Sequence, residues 1–294
     1  MNKDNNDLYS KGCLIIFSSR FWGATAKLDP EQLGDLPVEI IRASRDLLVD
    51  TNKLEAVRGI IGEAKRFIKS NTIPFPIPNV DFINKNRITL VDNGLKSRKE
   101  WAKEAVEDLV DVLGQAKARY QEKFPDLYSE SNYPTAGQLM DNFVFKWSFR
   151  VINPPGKDLG ILSPEVYEAE IKSFKNDMKE FSDTLISVVA KELYERIDKL
   201  RDQCIGTGSI SSSTVKSVHT ILEKFSNVYD GCIEHEDLKK MIKDVKLYMS
   251  GTESRMLSAD QDFATMVGKK MKEVVGLIVN SKDPRLTRRL DIAN

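Results

Sequence analysis

An apolar stripe in the second half of the chain constrains the fold more than any other feature of the sequence. Apolar residues recur there at alternating spacings of four and three, which is the pattern of a coiled-coil seam. The members of this seam are Tyr167, Ile171, Phe174, Met178, Phe181, Leu185 and Val188, and it continues with a small shift through Val189, Leu193, Ile197 and Leu200. Ser163 is a suitable N-cap, and Pro164 suits the first helical position. We therefore predict one helix of about 40 residues, roughly 60 Å long.

A second stripe follows a short Gly/Ser segment, IGTGSISSS at 205–213. Its members are Val215, Val218, Leu222, Phe225 and Tyr229, and it continues towards Met249. Because neither helix can bury its stripe alone, we predict that the two pair antiparallel in a long coiled-coil hairpin over about 163–250. A last helix is expected over about 254–280.

The first part of the chain contains strand signals as well as helices. Residues 12–28 are rich in β-branched and aromatic residues, which favours a strand or hairpin. The segment VDFINKNRITLVDNG at 80–94 has the pattern of a β-hairpin with NKN at its turn. Helices are expected over 37–50 and, from a clear apolar face, over 52–70.

From about residue 93 the pattern becomes helical, and it remains so as far as Pro125. The predicted fold class is therefore mainly α, with a long antiparallel helical hairpin or coiled coil and a small α+β N-terminal part. We place the N-terminal part at 1–92 and the elongated helical part at 93–294.

Charge and cysteine content narrow the class of protein. Lys plus Arg and Asp plus Glu both number 44, so the formal net charge is zero, and a neutral chain is a poor candidate for general binding to phosphate backbones. Three cysteines lie far apart, which argues against a disulfide framework. The N-terminus has no signal-peptide pattern, and the apolar run CLIIF is far shorter than a membrane span of roughly 20 residues. We expect a cytoplasmic protein without membrane association.

Motifs for catalysis and metal binding are weak in this chain. GTGS at 206–209 lacks the preceding strand and the GK[ST] of a phosphate-binding loop, so a helix-hairpin turn explains it better. Cys232 and His235 have a Cys-x-x-His spacing, but zinc needs further ligands and the chain has only one other histidine, His219. Neither GxSxG nor HExxH occurs. We therefore predict no catalytic residue, no metal and no cofactor.

An aromatic cluster with two neighbouring cations supports an alternative function. Phe143, Phe145, Trp147 and Phe149 recur with a period of two, and Lys146 and Arg150 would lie on the opposite face. A strand packed on a core gives this pattern, and so does a strand that stacks bases of single-stranded nucleic acid. The candidates for contacts to nucleic acid are Lys146, Arg150 and the tail residues Arg285, Arg288 and Arg289.

The coiled-coil seam admits two interpretations that do not exclude each other. It can form the internal core of a helical hairpin, or it can present a stripe that binds a partner or a second copy of the chain. The interface candidates on the seam are Tyr167, Ile171, Phe174, Met178, Phe181 and Leu185.

The segment FWGATAKLDPEQLG at 21–34 follows a short apolar strand and precedes helical sequence. This arrangement resembles an uncharacterised family of phages and bacterial mobile elements, the family of unknown function number 3150, in which a W-x-G-x-x-K-L-x-P-x-D-L-like segment follows an N-terminal strand. The matching residues are Trp22, Gly23, Lys27, Leu28, Pro30 and Leu33. Gly23 directly follows Trp22 here, and Gln32 stands where an acidic residue is expected. The specific part of the resemblance covers the first third of the chain.

The resemblance implies no catalytic residues, but it does imply a setting. Members often lie near genes for MoxR-like AAA+ ATPases and von Willebrand factor A proteins, and Trp22 and Lys27 are the interface candidates within the matching segment. We expect a non-enzymatic assembly or adaptor protein of phage or mobile-element origin, located in the cytoplasm of a bacterial host cell. It would form a homo-oligomer and work with an AAA+ ATPase. The alternative is a protein that binds single-stranded nucleic acid.

Overall fold

A computed structural model describes residues 8–28, 44–153, 163–206, 209–229 and 231–290 of the chain. Within these ranges the strands are β1 (Gly12–Arg20), β2 (Thr25–Lys27), β3 (Ser44–Asp46), β4 (Ile73–Pro74), β5 (Val80–Asn84) and β6 (Val144–Arg150). One sheet has the strand order β4-β5-β1-β6, and β2 pairs with β3 in a separate two-stranded sheet. The pairs β4–β5 and β2–β3 are antiparallel, with Ile73 opposite Phe82 and Thr25 opposite Asp46.

Helices make up most of the described chain, which confirms the prediction of a mainly helical fold with a small sheet. They are α1 (Asn52–Asn71), α2 (Ile88–Lys123), α3 (Ala136–Asp141), α4 (Pro164–Ile205), α5 (Ser212–Lys224), α6 (Glu236–Met249), α7 (Ser254–Ala259), α8 (Gln261–Val279) and α9 (Pro284–Thr287). A π-helical turn, Phe225–Tyr229, follows α5 directly. The long helix α4 begins as the sequence predicts, because the Ser163 side chain accepts a hydrogen bond from the backbone N–H of Val166 and Pro164 opens the first turn.

The chain divides into two compact units that are not continuous in sequence. The α4 unit comprises the described parts of Met1–Ile15, Ser70–Ile88 and Phe149–Asn294. The α2 unit comprises the described parts of Ile16–Lys69 and Thr89–Ser148. Each unit takes segments from both sides of residues 92 and 93, and the domain boundary that the change of pattern predicts there stays a prediction.

The core of the α4 unit is built along α4 itself. This helix makes its most extensive contacts with α8 and further contacts with α5 and α9. Leu193, Ile197 and Leu200 of the seam are fully buried in this core. Gly268 allows α8 to approach closely, since a Cβ atom there would lie 2.8 Å from Cγ1 of Ile205 and 2.9 Å from Cβ of Cys204.

The α2 unit has its own core, which includes Val57 of α1 and Val106 and Leu109 of α2. Tyr133 is also buried in it, and its hydroxyl donates a hydrogen bond of 2.7 Å to the backbone oxygen of Leu47. This bond satisfies a buried carbonyl that would otherwise lie unpaired in apolar surroundings.

Two predictions for the N-terminal part are wrong. The segment at 80–94 is not a hairpin: only Val80–Asn84 is a strand, and after a short 3-10 turn the chain enters α2 at Ile88. Asn84 caps that turn by accepting a hydrogen bond from the N–H of Asn86, and Val91 and Leu95 extend the buried face of α2. The helix expected over 37–50 also fails where it can be seen, because Ser44–Asp46 pairs with β2 as a strand; residues 37–43 lie outside the described ranges.

The long coiled-coil hairpin over 163–250 is not confirmed. Its first arm, α4, is continuous, but the return arm is divided into α5, the π-helical turn and α6. Gly231 lies in this break with φ of 76°, a left-handed conformation that ends the helical path. The buried part of the seam therefore packs against several short helices and α8 rather than against one long partner.

Candidate functional site

The α4 unit contains a cavity of about 770 Å³ beside the first half of α4. One wall is the face of α4 that carries the seam, from Phe174 through Met178 and Phe181 to Leu185 and Val188. These positions share a face because the heptad spacing returns the chain to the same side of the helix. All of these residues belong to the seam predicted from their spacing, but spacing along one helix does not predict a cavity beside them.

The opposite wall comes from the proline-spaced segment Ile73–Ile77. Its prolines, Pro74 and Pro76, cannot continue α1 and hold the backbone extended. The ring centroid of Phe75 lies 4.8 Å from that of Phe181, in an edge-to-face arrangement that joins the two walls. Prolines at alternate positions are a sequence signal for extended backbone, but such a pattern does not reveal which helix the segment will face.

Leu14 and Ile152 add to the apolar lining, and five polar side chains complete it: Asp177, Glu180, Thr184, Tyr229 and Arg289. Asp177, Glu180 and Arg289 are exposed, whereas Tyr229 is only 1% exposed. The cavity is therefore apolar along its walls, with charge at the exposed side and a phenol at the buried side.

Tyr229 reaches the cavity from the last position of the π-helical turn. The Lys224 ammonium lies 5.1 Å from the centre of its ring, within the range of a cation–π contact. Burial raises the pKa of the Tyr229 phenol well above its ordinary value, so the hydroxyl keeps its proton and can donate a hydrogen bond. Turns of π-helix inside helices often occur at functional sites, and no pattern in the sequence predicts this one.

Arg289 follows α9, and an ion-pair cluster fixes that short helix to the rest of the unit. Arg285 donates to both carboxylate oxygens of Asp283, at 2.6–3.1 Å, and its Nη1 lies 3.4 Å from Oδ1 of Asp183 on α4. The Arg285 guanidinium is the main reason that the pKa of the Asp283 carboxyl lies well below its usual range. The candidate Arg285 is thus engaged in structural ion pairs, whereas Arg288 and Arg289 are exposed.

The interface candidates on the seam differ sharply in burial. Phe181 and Leu185 are 2% exposed and belong to the core. The four candidates before them, Tyr167, Ile171, Phe174 and Met178, are only half-buried. Val166, which lies just before Tyr167 on the same helix, is 46% exposed. The seam is thus an internal core in its second half and an incompletely covered stripe in its first half.

The two candidates from the segment 21–34 lie in the α2 unit. Trp22 is half-buried, with its ring 6.2 Å from that of Tyr133, whereas Lys27 is exposed on β2. The strained backbone lies at Ala24, with φ of 49°, rather than at Gly23. Gly23 contributes its carbonyl oxygen, which accepts a hydrogen bond of 2.6 Å from Arg58. Pro30 and Leu33 of the same segment lie outside the described residues.

The aromatic residues of β6 are largely engaged in packing. Phe145 is buried, with its ring 5.1 Å from that of Phe17, and the Trp147 indole donates a hydrogen bond of 2.9 Å to Asp92. Lys146 and Arg150 are exposed. A ring that is buried or held by a carboxylate is not presented for stacking on a base, so these contacts offer no specific support for the nucleic-acid alternative.

The described residues contain no cluster of three or more His, Cys, Asp or Glu side chains suited to a metal ion. Cys232 and His235, the pair with metal-ligand spacing, have other contacts. The Cys232 sulfur accepts a hydrogen bond of 3.5 Å from Asn84, and the His235 ring lies between Leu238 and Asp283. Of the GTGS segment, residues 207–208 lie outside the described ranges.

None of the helices in the described ranges has an apolar stretch that would reach across a bilayer. No family model, curated protein or solved structure matches this chain.

Proposed function

We propose that this chain is a non-enzymatic assembly or adaptor protein that associates with itself through the first half of α4. The observation that carries the proposal is the change in burial along one uninterrupted seam. Its second half is covered by helices of the same chain, while Ile171 and Met178 in the first half are only half-buried. Burial of an apolar stripe is the main driving force for helix association.

The charges beside the stripe favour a parallel pair of α4 helices. In a heptad with Ile171 at position a and Phe174 at position d, Glu170 takes position g and Lys175 position e. In a parallel pair the g residue of one helix faces the e residue of the other. Glu170 of one copy would thus face Lys175 of the second copy, twice per dimer. Both side chains are exposed in the single chain and make no ion pair with a described residue.

The incompletely buried part of the stripe is short, and this sets the expected strength of association. It runs from Val166 to Met178, which is about two heptads, and Phe174 and Met178 within it also pack against the core of the α4 unit. Two heptads bury little area compared with a stable interface of about 800 Å² per partner. We therefore expect a dimer that dissociates on dilution rather than an obligate one.

The test is a charge exchange followed by sedimentation equilibrium. Glu170→Lys and Lys175→Glu should each weaken the dimer because each places like charges opposite one another. The double variant should regain most of the association, since it restores an opposite pair in the reversed order. Two single variants that associate like the wild type, or a double variant weaker than both, would contradict the parallel pairing.

The AAA+ ATPase partner is part of the same proposal and rests on the family resemblance of residues 21–34. A MoxR-like ATPase or a von Willebrand factor A protein would bind the assembled form, with Trp22 and Lys27 as the contact candidates. Co-elution of the purified ATPase with the wild type but not with Lys27→Glu, which changes an exposed residue, would support it. If the ATPase elutes alone in the presence of the wild type, the proposed interaction with the ATPase is wrong.

A further inference from the structure

We propose that the cavity beside α4 binds a long-chain monocarboxylate, with its hydrocarbon tail between the two apolar walls and its carboxylate at Arg289. This inference concerns a ligand of the single chain. The cavity shares Phe174 and Met178 with the stripe proposed to self-associate, so the ligand and a second copy of the chain would compete for these two side chains. The volume of about 770 Å³ lies within the range of roughly 300–1,000 Å³ that is common for small-molecule sites.

The walls suit a flexible hydrocarbon chain. Phe75 and Ile77 line one side, and Met178 and Leu185 line the other. Aromatic, branched and thioether side chains give an apolar surface without polar atoms that a hydrocarbon would leave unsatisfied. A polar molecule of the same size would lose its hydration along these walls without replacement.

The hydroxyl of Tyr229 offers a polar group to a ligand. Tyr229 lines the cavity, and its hydroxyl makes no hydrogen bond to any described residue. The oxygen is not one of the buried, unpaired side-chain atoms of the described residues, so it is accessible and can donate a hydrogen bond to an oxygen atom of a bound molecule.

Arg289 determines that the head group of the ligand carries a negative charge. No described carboxylate lies within ion-pair distance of its guanidinium, and a carboxylate is the planar anion that a guanidinium binds best. Asp177 and Glu180 also lie at the exposed side, and they would repel an anion placed beside them. The head group should therefore lie beside Arg289, away from α4's two carboxylates.

The experiment is a calorimetric titration of the full chain with dodecanoate, dodecanol and dodecylamine, each below its micelle concentration. We expect dodecanoate to bind saturably, with one molecule per chain. Arg289→Gln should weaken dodecanoate roughly 5-fold, the change expected for one partly exposed ion pair, and should leave dodecanol unchanged. Arg288→Gln is the matched control, because Arg288 is an exposed neighbour that is absent from the described lining.

A second variant tests whether the hydrocarbon tail of the ligand lies in the cavity. Thr184→Phe adds a ring at a half-buried position of the cavity wall, so it should abolish binding of both dodecanoate and dodecanol. Its circular dichroism spectrum should match that of the wild type. Three outcomes overturn the proposal: no saturable binding of dodecanoate, equal effects of the Arg288 and Arg289 variants, or tighter binding of dodecylamine. Failure here would leave self-association untouched, because its test residues Glu170, Ile171 and Lys175 are absent from the described lining of the cavity.

Discussion

Nε2 of His235 lies 2.9 Å from a carboxylate oxygen of Asp283, while Nδ1 of the same ring accepts the backbone N–H of Leu238 at 3.2 Å. The second contact makes His235 the N-cap of α6. Since Nδ1 accepts a hydrogen bond, the proton of the neutral ring lies on Nε2. The Nε2–H group therefore donates a hydrogen bond to the Asp283 carboxylate. One imidazole thus joins the start of α6 to the start of α9, where Asp283 is itself the N-cap.

Removing the charge of Asp283 should make stability less sensitive to acid. Its pKa in the folded protein is depressed by Arg285, below the unfolded value of roughly 3.9. The carboxylate therefore stabilises the fold above the unfolded pKa, and this contribution is lost as the pH falls below about 4. Asp283→Asn should lower the free energy of unfolding by about 1–3 kcal/mol near neutral pH. It should also make the free energy of unfolding fall less steeply as the pH decreases. Urea unfolding over a pH series measures both effects.

The control for this prediction is Asp177→Asn. Asp177 is exposed and makes no ion pair with any described residue, so the variant should follow the wild-type pH dependence. If the Asp283 variant declines in acid as steeply as the wild type, the ion-pair cluster does not contribute as the geometry indicates.

Tyr133 should make the fold sensitive to alkali. Burial raises the pKa of Tyr133 to about 12, above the unfolded value of roughly 10. Its contribution is complete below the unfolded pKa and is lost as the pH rises towards the folded pKa. Tyr133→Phe should cost about 1–2 kcal/mol near neutral pH, because the Leu47 carbonyl loses its donor, and it should remove this part of the alkaline decline. Tyr194→Phe, in which no hydrogen bond to a described residue is lost, should have neither effect.

Two glycines in helices should respond in opposite ways to alanine. Gly268→Ala places a methyl group 2.8 Å from Ile205 and 2.9 Å from Cys204, so α8 must move from α4 at a cost of about 1–3 kcal/mol. Gly114→Ala meets nothing within 4 Å and should stabilise α2 by up to about 1 kcal/mol, because alanine loses less backbone entropy. Thermal unfolding of the two variants tests the comparison. A Gly268→Ala variant that is as stable as the wild type would mean that the close approach at Gly268 is not present.

The thiols should be inert in the folded protein. Cys13, Cys204 and Cys232 are all free and buried, and burial raises the pKa of Cys204 to about 11. Since the thiolate is the reactive form, a chromogenic disulfide reagent should react slowly with native protein and rapidly with all three thiols in urea. Rapid labelling of any thiol without denaturant would show that the segment around that thiol opens readily.

The sequence predicts the long helices well because their signals are local and repeated. The seam fixes α4 from its cap at Ser163 onwards, and the strand pattern of 144–150 is equally local. The segment at 80–94 shows the limit of this reasoning: alternation favoured a second strand, but Val91 and Leu95 are buried as part of α2. Which period prevails depends on packing partners that lie far away in the sequence.

The candidate site could be predicted only in part for the same reason. Phe174, Met178 and Phe181 were identified from their spacing, whereas Tyr229 and Arg289 meet them only through the tertiary fold. A π-helical turn and a short ion-paired helix place those two residues. Neither the π-helical turn nor α9 has a repeated sequence pattern from which it could be predicted.

Light scattering over a concentration series tests the central claim, self-association through the first half of α4, most directly. The wild type should pass from the monomer mass towards the dimer mass as concentration rises. Ile171→Glu should remain a monomer because it places a charge in the half-buried stripe between Val166 and Met178. Ser173→Glu, which adds the same charge at an exposed position two residues later, should dimerise like the wild type. A wild type that stays monomeric at every concentration, or an Ile171 variant that dimerises equally well, would contradict the account.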